Sequence, residues 1–193
     1  MSTRLTTRSA RATWLLGRRL GALLRPGHVV ALVGELGAGK TQLTRGACHG
    51  AGVADGDVSS PSFAIVQTYR GRVPVHHADL YRVGDADELY ATGLLDLVGG
   101  EGALLVEWAD RVEGWLPPEH LLVRLEEVAR RPSWRRVTLE PAGEVHRALA
   151  EAVVGAGRTR RAAAKRRTAK RPAGKRRPPA DAGRRSGPGP ART

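Results

Sequence analysis

The stretch GELGAGKT, residues 34–41, fits the pattern G-x-x-x-x-G-K-[ST] and separates two segments of opposite character. The apolar run HVVALVG before it, residues 28–34, predicts a buried strand, and TQLTRGACHG after it predicts a helix that ends near Gly50. Lys40 is the only lysine among residues 1–154, where seventeen arginines supply every other basic side chain except histidine. A strand, a glycine-rich turn and a helix in this order are typical of a loop that binds the phosphates of a nucleoside triphosphate.

The residue types of this loop suit phosphate binding. Gly34, Gly37 and Gly39 can adopt backbone angles that strain other residues, so main-chain N–H groups can approach phosphate oxygens closely. The N-terminus of the following helix adds a partial positive charge. Lys40 supplies a compact ammonium for the β- and γ-phosphates, and Thr41 supplies a hydroxyl for Mg²⁺. The alternative is an ordinary glycine turn between a strand and a helix.

Two acidic residues stand where apolar strands end. Asp79 follows VPVHHA, and Glu107 ends ALLVE. An unpaired charge is costly in such a position, and nucleotide-hydrolysing sites place metal-supporting and water-positioning carboxylates at strand ends. Both residues are therefore candidates for these roles. The alternatives are ion pairs with Arg82 and Arg111, respectively.

Other polar and aromatic residues are weaker candidates. The hydroxyls in Ser59-Ser60-Pro61-Ser62 can approach a γ-phosphate in a segment that moves, although an ordinary loop is the alternative. Trp108 can stack on a base or pack against the protein, and the sequence favours neither. His76 and His77 are interpreted as packed or surface histidines, because no further His or Cys cluster supports a metal site.

The remaining pattern alternates helices and strands and indicates an α/β fold with a central mixed or parallel sheet. We expect helices from Ala12 to Leu24 and from Ala86 to Thr92, the second with Asp85 and Glu88 as a reciprocal cap. A hairpin is predicted over residues 63–69 and 73–79, with Pro74 suited to an edge strand. Further segments are a buried strand at 102–108, two late strands at 120–128 and 134–141, and a short helix at 143–154.

The charge is divided sharply along the chain. Residues 155–193 hold eleven arginines, three lysines and one aspartate, which accounts for the whole net charge of +13. Residues 1–154 carry 18 basic and 18 acidic groups and are neutral. We therefore predict a folded domain over 1–154 and a basic tail over 155–193, which is too poor in large apolar side chains to order itself. The tail either binds RNA or DNA phosphates without reading sequence or is a solubilising extension.

Cysteine content and hydropathy point to a reducing, aqueous compartment. Cys48 is the single cysteine, so no disulfide within the chain and no cysteine-based zinc site is expected. No apolar run approaches the roughly 20 residues needed to cross a bilayer, so no membrane partner is expected. The Arg-, Ser- and Thr-rich start is similar to an organellar transit peptide, but its apolar pattern continues into the first strand. A cytoplasmic location is the expectation.

Four segments, in this order and spacing, resemble the TsaE (YjeE) family of bacterial P-loop ATPases of tRNA threonylcarbamoyladenosine synthesis. They are GELGAGKTQLTRG, SSPSFAIVQTY, HADLYRVGDADELYATGL and LLVEWADR. The upstream segment TWLLGRRLGALLRPG also looks like the first helix of that family and its PG turn. The resemblance covers about residues 9–140 and does not extend to the basic tail.

The resemblance implies a small α/β P-loop domain that binds ATP and Mg²⁺ and joins TsaD and TsaB homologues to support threonylcarbamoyl transfer to tRNA. Lys40 would hold phosphates, Thr41 and Glu107 would serve the metal, Asp79 would act as a Walker-B-like acid, and Trp108 would lie near the nucleotide. Residues 60–62 would form the switch. The predicted nucleotide-binding set is Gly34, Glu35, Leu36, Gly37, Ala38, Gly39, Lys40, Thr41, Gln42, Ser60, Ser62 and Trp108; the catalytic set is Lys40, Asp79 and Glu107; the metal set is Thr41, Asp79 and Glu107.

Three positions depart from the family pattern. Ser62 stands where the family commonly has Thr, Ala78 where it has Phe, and Ala109 where it often has Pro. An arginine between residues 130 and 136 is expected to help with nucleotide, but the sequence does not choose among Arg130, Arg131, Arg135 and Arg136. The prediction is thus an ATPase that turns over weakly without its partners, with tRNA contacted indirectly or through residues 155–193. A P-loop small-molecule kinase is the alternative enzyme.

Overall fold

The computed structural model describes residues 1–54, 58 and 65–155. The predicted switch serines, the start of the first hairpin strand and residues 156–193 lie outside these ranges. The chain forms β1 (Thr3–Thr7), α1 (Ala10–Leu23), β2 (Val29–Val33), α2 (Lys40–Gly50), β3 (Val66–Tyr69), β4 (Val75–Asp79), α3 (Ala86–Ala91), a 3₁₀ helix (Leu94–Leu97), β5 (Ala103–Glu107), β6 (His120–Val128), β7 (Arg131–Ala142) and α4 (residues 144–155).

The strands form one mixed sheet in the order β1-β7-β6-β2-β5-β4-β3. Strand β2 runs parallel to both neighbours, β5 and β6, and β4 runs parallel to β5, whereas the remaining pairs are antiparallel. The α/β fold class predicted from the sequence is confirmed. In the β4–β5 register Asp79 lies opposite Glu107, so both acids stand at the carboxyl end of the parallel core.

Helices cover both faces of the sheet. Because side chains alternate along a strand, Val30 and Leu32 of β2 pack against α1, α2 and α4, while Val29, Ala31 and Val33 pack against α3 and the 3₁₀ helix. All five residues of β2 are buried, which explains its continuous apolar run. Among the described residues no helix is long and apolar enough to cross a membrane.

Two pairs of glycines bring α1 and α2 into close contact. A Cβ on Gly17 or Gly21 would lie 2.0 Å and 1.8 Å from the carbonyl oxygens of Leu43 and Ala47. On the other helix, Gly46 and Gly50 meet the α1 backbone in the same way, each at 2.1 Å. Such distances leave no room for any side chain, so the backbones pack directly. This contact fixes α2, and with it the loop at residues 34–41.

The structure corrects the expected position of the hairpin. Strands β3 and β4 pair antiparallel as predicted, but β4 lies between β3 and β5 and is not at an edge. Pro74 precedes β4, and its carbonyl accepts a hydrogen bond from Ala103 N at 2.8 Å. A proline immediately before a strand needs no ladder donor, which is why an internal strand tolerates it.

The cap of α3 forms differently from the expected reciprocal pair. Asp85 accepts a hydrogen bond from Glu88 N at 2.9 Å, as predicted. The Glu88 carboxylate, however, accepts from Gly84 N at 2.7 Å, one residue earlier than a capping box requires. Asp85 therefore caps the first turn of the helix, and Glu88 binds the backbone just before it. The helix ends at Ala91.

An additional strand, β1, was not predicted from the sequence. Its five residues, TRLTT, pair antiparallel with Leu139 to Arg135 of β7. Thr7 ends this strand, and its hydroxyl lies 2.7 Å from that of Thr13 in α1. The N-terminus is thereby held at the edge of the sheet.

Candidate functional site

The loop between β2 and α2 has the backbone that its glycines allow. Gly34, Gly37 and Gly39 have φ values of 144°, 80° and 100°, all in the region that side chains disfavour. At Gly34 a Cβ would also lie 2.3 Å from the carbonyl oxygen of Leu125, so no other residue fits there. Gly39 is the N-cap of α2 and provides no capping side chain, so the first N–H groups of the helix face the loop.

Lys40 lies inside this loop and is only 4% exposed. Its Nζ donates to the carbonyl oxygens of Gly34 at 2.5 Å and Glu35 at 3.1 Å. The same atom lies 3.4 Å from the centroid of the Trp108 ring, a cation–π distance. Burial lowers the pKa of Lys40, and the carboxylates that oppose this shift belong to Glu107, Asp110, Asp79 and Glu35.

Glu107 is 1% exposed and uses both carboxylate oxygens. Its Oε2 accepts a hydrogen bond from Thr41 Oγ1 at 2.7 Å, and its Oε1 is 2.9 Å from His77 Nε2. The Arg111 guanidinium lies instead over the ring of Tyr81, at 5.6 Å. Among the described residues, Glu107 therefore does not form the alternative ion pair with Arg111.

His77 is the residue at this site that sequence reasoning undervalued. It is packed, as expected, with 0% exposure, and its ring lies 6.4 Å from that of Tyr69. Its bond to Glu107 fixes the orientation of that carboxylate, while the Nδ1 atom has no hydrogen-bond partner among the described residues. His76 differs, because its Nδ1 contacts the Thr68 hydroxyl at 2.9 Å on the more exposed side of the strand.

Asp79 ends β4 beside Glu107, and its side chain is partly exposed. Its Oδ1 accepts a hydrogen bond from Tyr81 N at 3.0 Å, which turns the chain immediately after the strand. The Leu80 N–H donates to the carbonyl of Glu107 at 3.0 Å and extends the pairing of the two strands past the acids. The two acids predicted from distant segments are therefore neighbours in the sheet, and the charge of each acts on Lys40.

Trp108 follows Glu107 with a φ of 58°, a left-handed conformation that is unfavourable for a bulky residue. Ala109 N donates to the carbonyl of Leu32 at 3.2 Å, which holds the turn against β2. The indole contacts Lys40 on one side and lies 5.0 Å from the ring of Tyr81. Backbone strain of this kind occurs most often where a side chain is needed in a particular place.

Arg135 is the arginine of residues 130–136 that reaches the loop. Its guanidinium donates to the carbonyl oxygens of Ala38 and Gly37, both at 3.0 Å, and pairs with Glu127 at 3.0 Å. Two of the others make different contacts: Arg136 pairs with Glu126, and Arg131 lies over Trp134. Since Arg135 comes from β7, no local sequence signal could have selected it.

The other residues predicted to bind nucleotide differ in their exposure, and two of them lie outside the described ranges. Leu36 is 79% exposed at the loop tip, Glu35 is exposed, Ala38 is buried and Gln42 is partly exposed in the first turn of α2. Ser60 and Ser62 fall outside the described residues. In the described part of the chain no group of three or more His, Cys, Asp or Glu residues is arranged to hold a metal.

A family model for the threonylcarbamoyl adenosine biosynthesis protein TsaE matches residues 7–136. The protein of that name from Bacillus subtilis is 36% identical over 140 residues, which cover 72% of this chain and 85% of the relative. The one from Streptomyces coelicolor is 39% identical over 135 residues, covering 67% and 90%. Among solved structures, YdiB from Bacillus subtilis is similar at a TM-score of 0.68 and 28% identity, covering 81% of this chain and 97% of that one.

Proposed function

Because this chain belongs to the TsaE family of threonylcarbamoyl adenosine biosynthesis proteins, we propose that it binds and hydrolyses ATP as a subunit of the machinery that makes tRNA N6-threonylcarbamoyladenosine. Proteins of the family are involved in tRNA threonylcarbamoyladenosine biosynthesis. The observation that carries the proposal is the bond between Thr41 Oγ1 and Glu107 Oε2, 2.7 Å long, beside the ammonium of Lys40. A hydroxyl, a carboxylate and a cation at a helix N-terminus form the set that a magnesium-bound triphosphate requires.

In the proposed complex the triphosphate lies along residues 34–41. The exposed N–H groups of the loop and of the first turn of α2 donate to phosphate oxygens. Lys40 exchanges the carbonyl oxygens of Gly34 and Glu35 for the β- and γ-phosphates. Arg135 would stabilise the shape of the loop, because its guanidinium donates to the carbonyl oxygens of Gly37 and Ala38.

The residues present fit Mg²⁺. Thr41 and Glu107 offer oxygen ligands, which this ion prefers, and it commonly takes only one or two protein ligands, completing its shell with phosphates and water. When bound, Mg²⁺ would neutralise charge that develops on the transferred phosphate. Asp79, adjacent in the sheet, would orient the attacking water or a metal-bound water. Trp108 would pack near the nucleotide, and the hydroxyls of Ser60 and Ser62 would close over the γ-phosphate.

A titration of Mg-ATP into the full chain tests this proposal. We expect saturable heat of binding for the wild-type chain and none for Lys40→Ala, since the loop would lose its only ammonium. Arg147→Ala is a matched control, because it removes one exposed positive charge next to His146, which binds Val29 N at the opposite end of β2. Absence of uptake by folded wild-type chain at millimolar Mg-ATP would overturn the proposal.

The partners belong to the same proposal. TsaD and TsaB homologues would join the chain in the cytoplasm and complete the site, so turnover by the isolated chain would be weak. Capture experiments from cytosol with and without ATP would reveal these proteins if the assignment is right. The +13 charge of residues 155–193 would add contacts to tRNA phosphates that weaken steeply with salt.

A further inference from the structure

The neutral body of the protein is strongly polarised between its two faces. Residues 10–33 and 42–50, which form α1, most of α2 and their connections, hold five arginines and no acid: Arg11, Arg18, Arg19, Arg25 and Arg45. Residues 83–101, which form α3 and the 3₁₀ helix, hold five acids and no base: Asp85, Asp87, Glu88, Asp96 and Glu101. These two layers pack on opposite faces of the sheet, so the α1–α2 layer is basic and the α3 layer is acidic.

The arginines of the basic face are available to a ligand. Arg11, Arg18, Arg25 and Arg45 are exposed, and within the described ranges none of the five forms an ion pair. Helix α4 packs on the same side and changes the balance by only one charge, with Arg147 against Glu144 and Glu151. Unpaired arginines at this density repel one another unless an anion offsets them.

Aromatic rings lie among these arginines. The guanidinium of Arg18 is 5.9 Å from the Trp14 ring, and that ring lies 4.9 Å from the imidazole of His49 across the α1–α2 contact. Rings combined with arginines are the surface that single-stranded nucleic acid uses for stacking and phosphate contacts.

We infer that the α1–α2 face is a binding surface for RNA. Arg11 is about 18 Å along the helix axis from Leu23, at roughly 1.5 Å per residue, and Arg25 follows two residues beyond this end of α1. One small anion cannot contact charges so far apart, whereas a nucleic-acid backbone with a charge about every 3.4 Å along each strand spans the whole row. The choice of RNA among polyanions rests on the proposed function, in which the modified molecule is tRNA.

Helix α4, which ends at residue 155, lies at the edge of this same surface. Leu149, Ala150 and Val153 of α4 pack in the core layer of α1 and α2. The end of α4 at Val153 and Val154 lines a depression shared with Arg4, Arg8 and Arg19. The sequence beyond residue 155 carries a net charge of +13, the same sign as this surface.

The test compares two double variants of the full chain in binding fluorescent tRNA between 50 and 300 mM salt. The first is Arg11→Gln/Arg18→Gln. The control, Arg124→Gln/Arg136→Gln, removes the same charge from the opposite face of the sheet. We expect the first to flatten the dependence of log affinity on log salt by about 2 and to lower affinity about tenfold or more at 50 mM salt. The control should change neither quantity.

Three further measurements keep the result unambiguous. Arg11→Lys/Arg18→Lys retains both charges and should bind like wild type; a loss as large as in the glutamine variant would overturn a phosphate-binding role. Equal losses of RNA affinity in both glutamine double variants would show that only net charge matters and would also overturn the proposal. Unchanged RNA binding, together with binding to phosphatidylserine vesicles that depends on Arg11 and Arg18, would overturn it as well. Mg-ATP titration of the same proteins distinguishes failure of this surface from failure of the proposed ATPase function.

Discussion

The two ends of the central sheet both bury polar side chains, but they do so in opposite electrostatic states. At the carboxyl end, Glu107 is hydrogen-bonded to Thr41 and His77 beside the ammonium of Lys40. At the amino end, His146 Nε2 accepts from Val29 N at 3.1 Å and His28 Nδ1 accepts from Arg25 N at 3.2 Å. Burial lowers the pKa of both of these imidazoles, which therefore remain neutral.

The difference distinguishes the proposed nucleotide site from a purely structural group of buried polar side chains. The neutral histidines satisfy backbone N–H groups where strand β2 begins, and their work is complete within the fold. At the other end, Lys40 donates to two carbonyl oxygens of the loop, which a phosphate could replace in the proposed complex. Burial of a polar group alone does not mark a site; an arrangement of ionised groups around an open helix terminus does.

The largest effect should come from removing the buried charge at the carboxyl end. Glu107→Gln keeps the shape of the side chain but removes the carboxylate, and loss of a metal ligand costs several kcal/mol, so ATP turnover should fall about a hundredfold or more. His146→Gln, at the other end, should leave turnover unchanged. Rates measured in the presence of partner proteins would check this. If Glu107→Gln turned over ATP at the wild-type rate, Glu107 at the carboxyl end of the sheet would be no more important for turnover than His146 at the amino end.

A second prediction concerns the helix contact that positions the carboxyl-end loop. Gly21→Ala would place a methyl group 1.8 Å from the carbonyl oxygen of Ala47. Alanine gains about 1 kcal/mol over glycine in a helix, but overpacking against backbone costs about 3 kcal/mol, so the free energy of unfolding should fall by about 2 kcal/mol. Denaturant unfolding would measure it. Gly155→Ala, where a methyl group meets nothing within 4 Å, should not be destabilised, and equal stability of the two variants would contradict the packing argument.

Much of this arrangement could be predicted from the sequence, because the signals are local. Each of these signals can be recognised within a few residues of sequence. They are the apolar run before Gly34, the glycines of the loop, and the acids at the ends of VPVHHAD and ALLVE. Asp79 and Glu107 were correctly placed at strand ends, and the register brings them side by side. The family resemblance added the order of these segments.

The parts that could not be predicted depend on contacts between distant segments. Strand β1 is short and polar, and it exists because β7 offers it an edge. The glycines at 17 and 21 are spaced four apart in the sequence, but only packing shows that they face α2. Similarly, His77 meets Glu107 thirty residues away, and Arg135 reaches the loop from ninety-seven residues away. Sequence patterns carry no information on these distances.

A third prediction concerns His77 as a positioning residue at the carboxyl end. His77→Phe would keep the packing but remove the donor to Glu107 Oε1, and loss of such an outer partner typically weakens metal binding about tenfold or more. We expect the Mg²⁺ concentration for half-maximal turnover to rise by this factor, with a smaller effect at saturating Mg²⁺. His77→Gln, which can still donate to Glu107, should recover part of the loss. An unchanged Mg²⁺ requirement in His77→Phe would restrict this residue to packing.

The smallest predicted effect is at the amino end and concerns pH. Burial, together with the nearby His28 and His120, lowers the pKa of His146 from 6.5 to about 4. The unfolded chain therefore binds a proton at pH values where the folded chain does not, so stability is lost as pH falls through 6.5 and continues to fall toward 4. Between pH 7 and 5.5 this one group should reduce the free energy of unfolding by about 1 kcal/mol.

His146→Gln provides the matched comparison, since its amide can still accept from Val29 N but does not titrate. The variant should be less stable at neutral pH, because the fit of the ring is lost, yet its stability should change less between pH 7 and 5.5 than that of the wild type. His28 and His76 would contribute to any remaining slope, because burial lowers the pKa of both, aided at His28 by Arg25. Parallel pH profiles for the two proteins would show that folding does not lower the pKa of His146. The imidazole at the amino end would then be charged at pH 5.5, and it would no longer differ in this respect from the charged network at Glu107.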